Sequence, residues 1–265
     1  MLNTWVKSSI KLNFSIFAAG KSVRPAPAEL PQVRKEARVG GCSGAIHDLP
    51  FFIIFGQISK LFLMLLKIHP DTPSERHIKM VVDCLSNGGI IIYPTDTVYG
   101  LACDIFKPRA VERIAQIKGI KKEKANFTFV FTDLSQLSDF TKPHSNEVFR
   151  LMRNSLPGPY TFILNANSNV PKIFQSRKKT VGIRIPENNI PLEIVKELGN
   201  PIMTTSIHDD DEILEYSTDP ELIYEKYKNI VDIVVDGGYG DNTPSTVIDC
   251  TGAEPLIIRE GKGLV

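Results

Sequence analysis

The chain changes character near position 67. Beyond it, apolar residues recur at helical or strand spacing, separated by turn signals. Thr72-Pro73-Ser74-Glu75 reads as a capping box with proline at the first helical position. Ile78, Val81, Val82 and Leu85 follow at helical spacing, and Asn87-Gly88-Gly89 ends the run. The next four residues, Ile90 to Tyr93, form a short apolar run of the kind buried in a sheet. A second helix is predicted over 108–118, burying Val111, Ile114 and Ala115, with Gly119 as its terminator. The stretch NFTFVFT, 126–132, alternates like a strand with a phenylalanine face. A helix capped by Ser145 carries Val148, Leu151 and Met152. Strands are predicted at 159–164, 180–185, 201–205, 231–235, 245–250 and 256–259, with helices at 190–198 and 219–228. Such alternation predicts an α/β fold, a single domain over 67–265 built on a mixed β-sheet flanked by helices.

Residues 1–63 lack that regularity. MLNTWVKSSIKLNFSIFAAGKSVRPAPAELP is basic and has no acid before Glu29, as targeting segments do. The run PFFIIFGQISKLFLMLLKIHP is interrupted by Gly56, Gln57 and Lys60, too short and too broken for a membrane span. The expectation is a poorly structured N-terminal extension, disordered or not part of the native chain.

Composition sharpens this division. The chain has 265 residues, 42% hydrophobic and 23% charged, an ordinary globular balance. Residues 1–63 hold eight Lys or Arg against three acids, leaving 23 basic and 27 acidic residues for 64–265. An anion site in the domain must therefore be built by local clustering, and strong sequence-independent RNA affinity is disfavoured. Cys42, Cys84, Cys103 and Cys250 lie far apart with no metal-like spacing to the five histidines. They are expected to be reduced thiols of a cytoplasmic protein. No P-loop, dinucleotide fingerprint, His-Glu metal motif or Ser-His-Asp order is present, so no catalytic nucleophile and no metal ligand is assigned.

Polar residues gather where the predicted strands end. Thr95, Thr97 and Tyr99 follow one strand, Thr204, Thr205 and Ser206 another, and Ser245 and Thr246 open a third. Ligands collect beyond strand ends in open α/β sheets, where hydroxyl donors suit carboxylate and phosphate. Lys118, Lys121, Lys122 and Lys124 cluster after a helix. Arg184 and Arg259 sit in apolar strands, where an unpaired guanidinium is costly. Each has a plain structural alternative: hydroxyls that cap turns, lysines on a solvated face, arginines with a structural carboxylate partner.

The segments IIYPTDTVYGLACD, LPGPYTFIL, TVGIRIPENN, PIMTTSIHDDD and STVIDCTGAEPLIIREGKG resemble, in order, the successive motifs of the YrdC/YciO family. The resemblance runs from about Ile68 to Val265. It implies a twisted sheet with a concave basic groove, associated with nucleotide and double-stranded RNA. It also implies synthesis of threonylcarbamoyl-AMP and pyrophosphate from L-threonine, bicarbonate and ATP with Mg2+, a nucleotidyltransferase reaction serving tRNA threonylcarbamoyladenosine modification. Carried over residue by residue, Thr95, Thr97, Tyr99, Thr180, Arg184, Thr204 and Ser245 would bind threonine. Lys118, Lys124, Ser206 and Arg259 would face the ATP phosphates.

Two positions depart from the synthase pattern. Lys118-Gly119-Ile120 lacks the arginine of K-x-R, and Thr205-Ser206-Ile207-His208, followed by Asp209 to Asp211, stands where synthases read T-S-A-N. KANFTFVF and HDDDE are more similar to the YciO-like branch. The alternative reading is a YciO-like nucleotide- and double-stranded-RNA-binding protein with weak or different activity.

Overall fold

The computed structural model describes residues 64–119, 127–174, 179–207 and 218–264. The expected extension 1–63, Cys42, Ile120, Lys121, Lys122, Lys124, Asn126 and the His208–Asp211 run lie outside those residues. In chain order the elements are β1 (Met64–Lys67), α1 (Glu75–Ser86), β2 (Ile91–Tyr93), β3 (Gly100–Asp104), α2 (Pro108–Ile117) and β4 (Thr128–Val130). There follow α3 (Asn146–Ser155), β5 (Tyr160–Asn165), β6 (Thr180–Arg184), α4 (Asn189–Leu198), β7 (Ile202–Ser206), α5 (Pro220–Tyr227), β8 (Ile233–Asp236), β9 (Thr246–Asp249) and β10 (Leu256–Arg259). The strands form one sheet in the order β1-β8-β2-β3-β7-β4-β6-β5-β9-β10. It is mixed: β8 runs parallel to β1 and β2, whereas β3 and β7 are antiparallel to each other.

The helices that the apolar spacing predicts are present, and their ends show why. Ser145 caps α3 by accepting from the Val148 amide, Asn188 caps α4 and Asp219 caps α5. The capping box before α1 is not formed. Ser74 is the N-cap but its side chain makes no capping bond, and Pro73 precedes the cap instead of opening the helix.

Two strands were not predicted. Met64–Lys67 pairs in parallel with β8, so the three residues before Lys67 already belong to a strand of the sheet. Gly100–Asp104 follows a loop from Tyr93 and pairs antiparallel with both β2 and β7. Its sequence, GLACD, has no β-branched residue and no alternation, so period alone cannot find it. Tertiary pairing makes it a strand.

The sheet has two unlike faces. On one, Ile90, Ile92, Leu101, Phe129, Phe162, Ile183 and Met203 form a continuous core with Val111 and Ile114 of α2, Met152 of α3 and Ile223 of α5. On the other, Ile91, Tyr93, Ala102, Val130, Ile202 and Val235 pack against Val81 and Leu85 of α1 and Ile190 and Ile194 of α4. Strands β5, β6, β9 and β10 contribute nothing to that second cluster. Their half of the face is where the candidate site lies.

Candidate functional site

A cavity of about 760 Å³ lies over the open half of the sheet. Its floor follows from strand alternation. Thr161, Ile163 and Asn165 of β5, then Thr180, Gly182 and Arg184 of β6, line it at a spacing of two. Thr128 of β4 and Thr204 and Ser206 of β7 continue the floor, with Val247 and Asp249 of β9 on the far side. Gly182 is the low point: a Cβ there would stand 2.7 Å from Thr128 Oγ1. One wall is aromatic, with Phe174 edge-on to Phe127 at 5.7 Å and to Phe129 at 5.0 Å.

The hydroxyl-rich stretch after β2 builds the loop that closes one end. Pro94 stops the ladder, Thr95 Oγ1 donates to the Val98 carbonyl at 2.7 Å and accepts from the Thr97 amide at 3.1 Å. Tyr99 is buried; its hydroxyl donates to Gly238 O at 2.6 Å and accepts from the Gly237 amide at 3.3 Å. Burial pushes the Tyr99 phenol above its usual range, so it stays a donor. Tyr93, pushed up to about 12 by burial, donates to Thr204 Oγ1 at 2.9 Å.

Two guanidinium groups reach this end. Arg184, about one-tenth exposed, donates from Nη2 to Asp96 Oδ1 at 2.5 Å and to Thr97 Oγ1 at 2.6 Å, with Thr95 Oγ1 at 3.4 Å. Its Nε and the second Asp96 oxygen are buried without a hydrogen-bond partner. Arg259, at the end of β10, donates from Nε and Nη2 to the Ser245 carbonyl at 3.2 and 2.7 Å. Ser245 Oγ lies 2.8 Å from Thr161 Oγ1. Burial, and secondly the charge of Arg184, lowers the Arg259 pKa from its usual value. Both guanidiniums line one partly desolvated cavity, Arg184 already paired with Asp96 and Arg259 bonded to the neutral oxygens of Ser245, so an entering anion can draw on both.

Of the sequence-predicted residues, Thr95, Tyr99, Thr180, Arg184, Thr204, Ser206, Ser245 and Arg259 line the cavity. Thr97 is fully buried and does not line it; its hydroxyl holds Arg184 instead. Lys118 forms the C-cap of α2 and is not among the lining residues. Lys124 falls outside the described residues. The expectation that the hydroxyls follow strand ends needs correcting at β7, where Thr204 and Ser206 lie within the strand. The groove therefore runs across a sheet face. Sequence reading missed Thr128, Thr161, Asn165, Asp249 and Asp96. For Thr161 and Asn165 a signal existed: they alternate with buried Phe162 and Leu164, the pattern of a strand solvated on one face.

Among the described residues, a ten-stranded mixed sheet covered by helices on one face and half covered on the other, with a two-arginine, hydroxyl-lined groove, defines the class. The family model Sua5/YciO/YrdC, described as "Telomere recombination", matches residues 83–261, and the chain belongs to that family. The uncharacterised protein YciO of Escherichia coli K12 is 41% identical over 198 residues, 74% of this chain and 94% of that protein. The crystal structure of E. coli YciO superposes with a TM-score of 0.71 at 40% identity, covering 76% of this chain and 97% of that one. A threonylcarbamoyl-AMP synthase of Coxiella burnetii is 28% identical over 66% of this chain and 93% of its own length. P. abyssi Sua5, solved in complex with L-threonine, has a TM-score of 0.68 at 26% identity, covering 75% of this chain and 57% of that one. The family thus includes enzymes that make threonylcarbamoyl-AMP.

Proposed function

We propose that this protein forms threonylcarbamoyl-AMP and pyrophosphate from L-threonine, bicarbonate and ATP, supplying tRNA threonylcarbamoyladenosine modification. The observation that carries the reading is the pair Arg184 and Arg259 in one cavity with the hydroxyls of Thr95, Thr204 and Ser245. A small hydroxylated amino acid fits such a lining, and a relative of the same fold was solved with L-threonine bound. Threonine and bicarbonate condense to the carbamate with loss of water. A carbamate oxygen then attacks the α-phosphorus of ATP, and the bond to the β,γ-phosphates breaks to release pyrophosphate. Positioning and cationic stabilisation supply the acceleration, and no protein nucleophile is needed.

Among the described residues no three His, Cys, Asp or Glu side chains converge as a metal site. In this reading Mg2+ arrives on the ATP phosphates as part of the substrate. Burial raises the pKa of Cys84 to about 12 and of Cys250 to about 11, which keeps both as protonated, weakly nucleophilic thiols. Among the described residues no helix is long and apolar enough to cross a membrane.

A second reading, a YciO-like nucleotide- and double-stranded-RNA-binding protein of weak or different activity, is favoured by the higher identity to YciO, 41% against 28% for the Coxiella synthase. Pyrophosphate release with ATP, Mg2+ and bicarbonate distinguishes the two. The synthase reading expects release that depends on L-threonine and falls with L-serine. Release that ignores the amino acid, or nucleotide binding without turnover, would reject it.

A further inference from the structure

Lys262 lies on the turn after β10, at one end of the strand order, yet its ammonium reaches the loop after β2, seven strands away in that order. Nζ donates to the Asp96 carbonyl at 2.7 Å and pairs with Asp241 Oδ2 at 2.8 Å. The Asp241 amide in turn donates to the Thr97 carbonyl at 3.0 Å. The turn itself is fixed, since the Lys262 amide donates to Pro244 O at 2.8 Å and the Gly261 amide to Thr246 Oγ1 at 3.0 Å. Gly261 has no room for a side chain, because a Cβ would meet the Pro244 carbonyl.

One side chain thus ties together the two loops that carry the guanidinium partners. Asp96 and Thr97, whose backbone carbonyls receive Lys262 and Asp241, are the residues whose side chains hold Arg184. Ser245, which holds Arg259, lies next to the carbonyl of Pro244. We infer that Lys262, with Asp241, is a positioning residue for the anion site: it sets the separation and aim of Arg184 and Arg259 without contacting the ligand. This rests on the reading of the groove as a threonine and ATP site, but its geometry does not depend on the ligand's identity.

The Lys262–Asp241 contact is part-exposed, with 43% and 31% of the two side chains accessible. A pair so placed adds little to stability. A clamp and a mere surface ion pair therefore predict different things. The clamp predicts that Lys262→Met leaves the melting temperature nearly unchanged while weakening both L-threonine and inorganic pyrophosphate about tenfold, the effect of losing one well-aimed charge-assisted contact. Lys262→Arg should recover most of that loss, and Asp241→Asn should reproduce part of it.

The full-length protein would be titrated with L-threonine and with pyrophosphate by calorimetry. The Nε–H resonances of Arg184 and Arg259, assigned through Arg184→Lys and Arg259→Lys, would be followed by NMR in the absence of ligand. Displacement of the Arg184 resonance in Lys262→Met, with weaker binding and an unchanged melt, is the expected result. An unmoved Arg184 resonance overturns the inference, as does unchanged affinity of Lys262→Met for a compound that wild type binds. If wild type binds neither compound, the threonine and ATP reading fails, and the NMR comparison still decides the clamp. Should Lys262→Met not fold, Asp241→Asn takes its place in the same measurements, and an unmoved Arg184 resonance there overturns the inference.

Discussion

A single row of residues crosses the whole sheet by register: Met64, Ile233, Ile91, Ala102, Thr204, Thr128, Gly182, Ile163, Asp249 and Leu256. All lie on one face. The first four are apolar and help to form, or pack against, the cluster under α1 and α4. From Thr204 to Asp249 the same row becomes the floor of the cavity, with Thr204, Thr128, Gly182 and Asp249 small or polar and Ile163 its one large apolar member. The backbone hydrogen bonding is alike in both halves. What differs is whether a helix covers the side chains, and the residue types match: methyl groups where water is excluded, hydroxyls and a glycine where a ligand can enter. The covered half supplies cohesion and the open half supplies recognition.

The largest effect is expected where the open half carries a buried charge. Arg184→Ala strands the Asp96 carboxylate, and breaking a buried pair of this kind costs about 3–5 kcal/mol. Urea or thermal melts should show that loss together with abolished threonine binding. Arg184→Met combined with Asp96→Asn should regain stability without regaining binding. If the double variant binds normally, the open half does not recognise its ligand through Arg184.

In the covered half, Ile194→Ala removes a fully buried side chain facing α1 and the sheet. The expected cost is about 2–5 kcal/mol in a melt, with affinity per folded molecule unchanged. A drop in affinity of the folded fraction would mean that the two halves are coupled.

Arg259→Ala should show the reverse signature. Its guanidinium is bonded to the Ser245 carbonyl and faces the cavity, so the loss should fall on ligand affinity, roughly 1.5–3 kcal/mol by calorimetry, with a small change in melting temperature. Gly182→Ala probes the floor. Its new Cβ would press on Thr128, costing about 1–3 kcal/mol and narrowing the groove.

The smallest effect concerns acid. The hydrogen bond from Lys262, first among the causes, lowers the Asp241 pKa below its usual value of 3.8. A depressed carboxylate contributes stability that is complete above the unfolded value and is lost as pH falls through the folded one. Denaturant melts of wild type and Asp241→Asn should therefore run in parallel above about pH 5 and converge as the pH falls through the lowered folded-state value, because the variant lacks this contribution at every pH.

Much of this fold was legible as pattern. The 3.6-residue spacing of Val111 and Ile114 gave α2, and Ser145 gave the start of α3. The strand β3 was illegible because a five-residue segment without alternation has no local signature. The site was legible in part. Hydroxyls and arginines could be collected from the sequence, and eight of the eleven residues assigned from the family motifs line the cavity. Their division of labour could not be read, because Thr97 and Thr95 are the same residue type two positions apart in one loop. Only packing makes the first a buried support for Arg184 and exposes the second to the cavity.

The sequence by itself determined the period of each main element, the need for local clustering of positive charge in a domain with 23 basic and 27 acidic residues, and the family. These follow from side-chain hydrophobicity and spacing, which act within a few residues. Tertiary structure alone decided that α1 and α4 stop short of β6, leaving half a sheet face open. It also decided that Asp96 neutralises Arg184 across 88 residues and that Lys262 reaches Asp96 across 166. Charge pairing depends on distances of a few ångströms between segments far apart in the chain, and no local pattern encodes them.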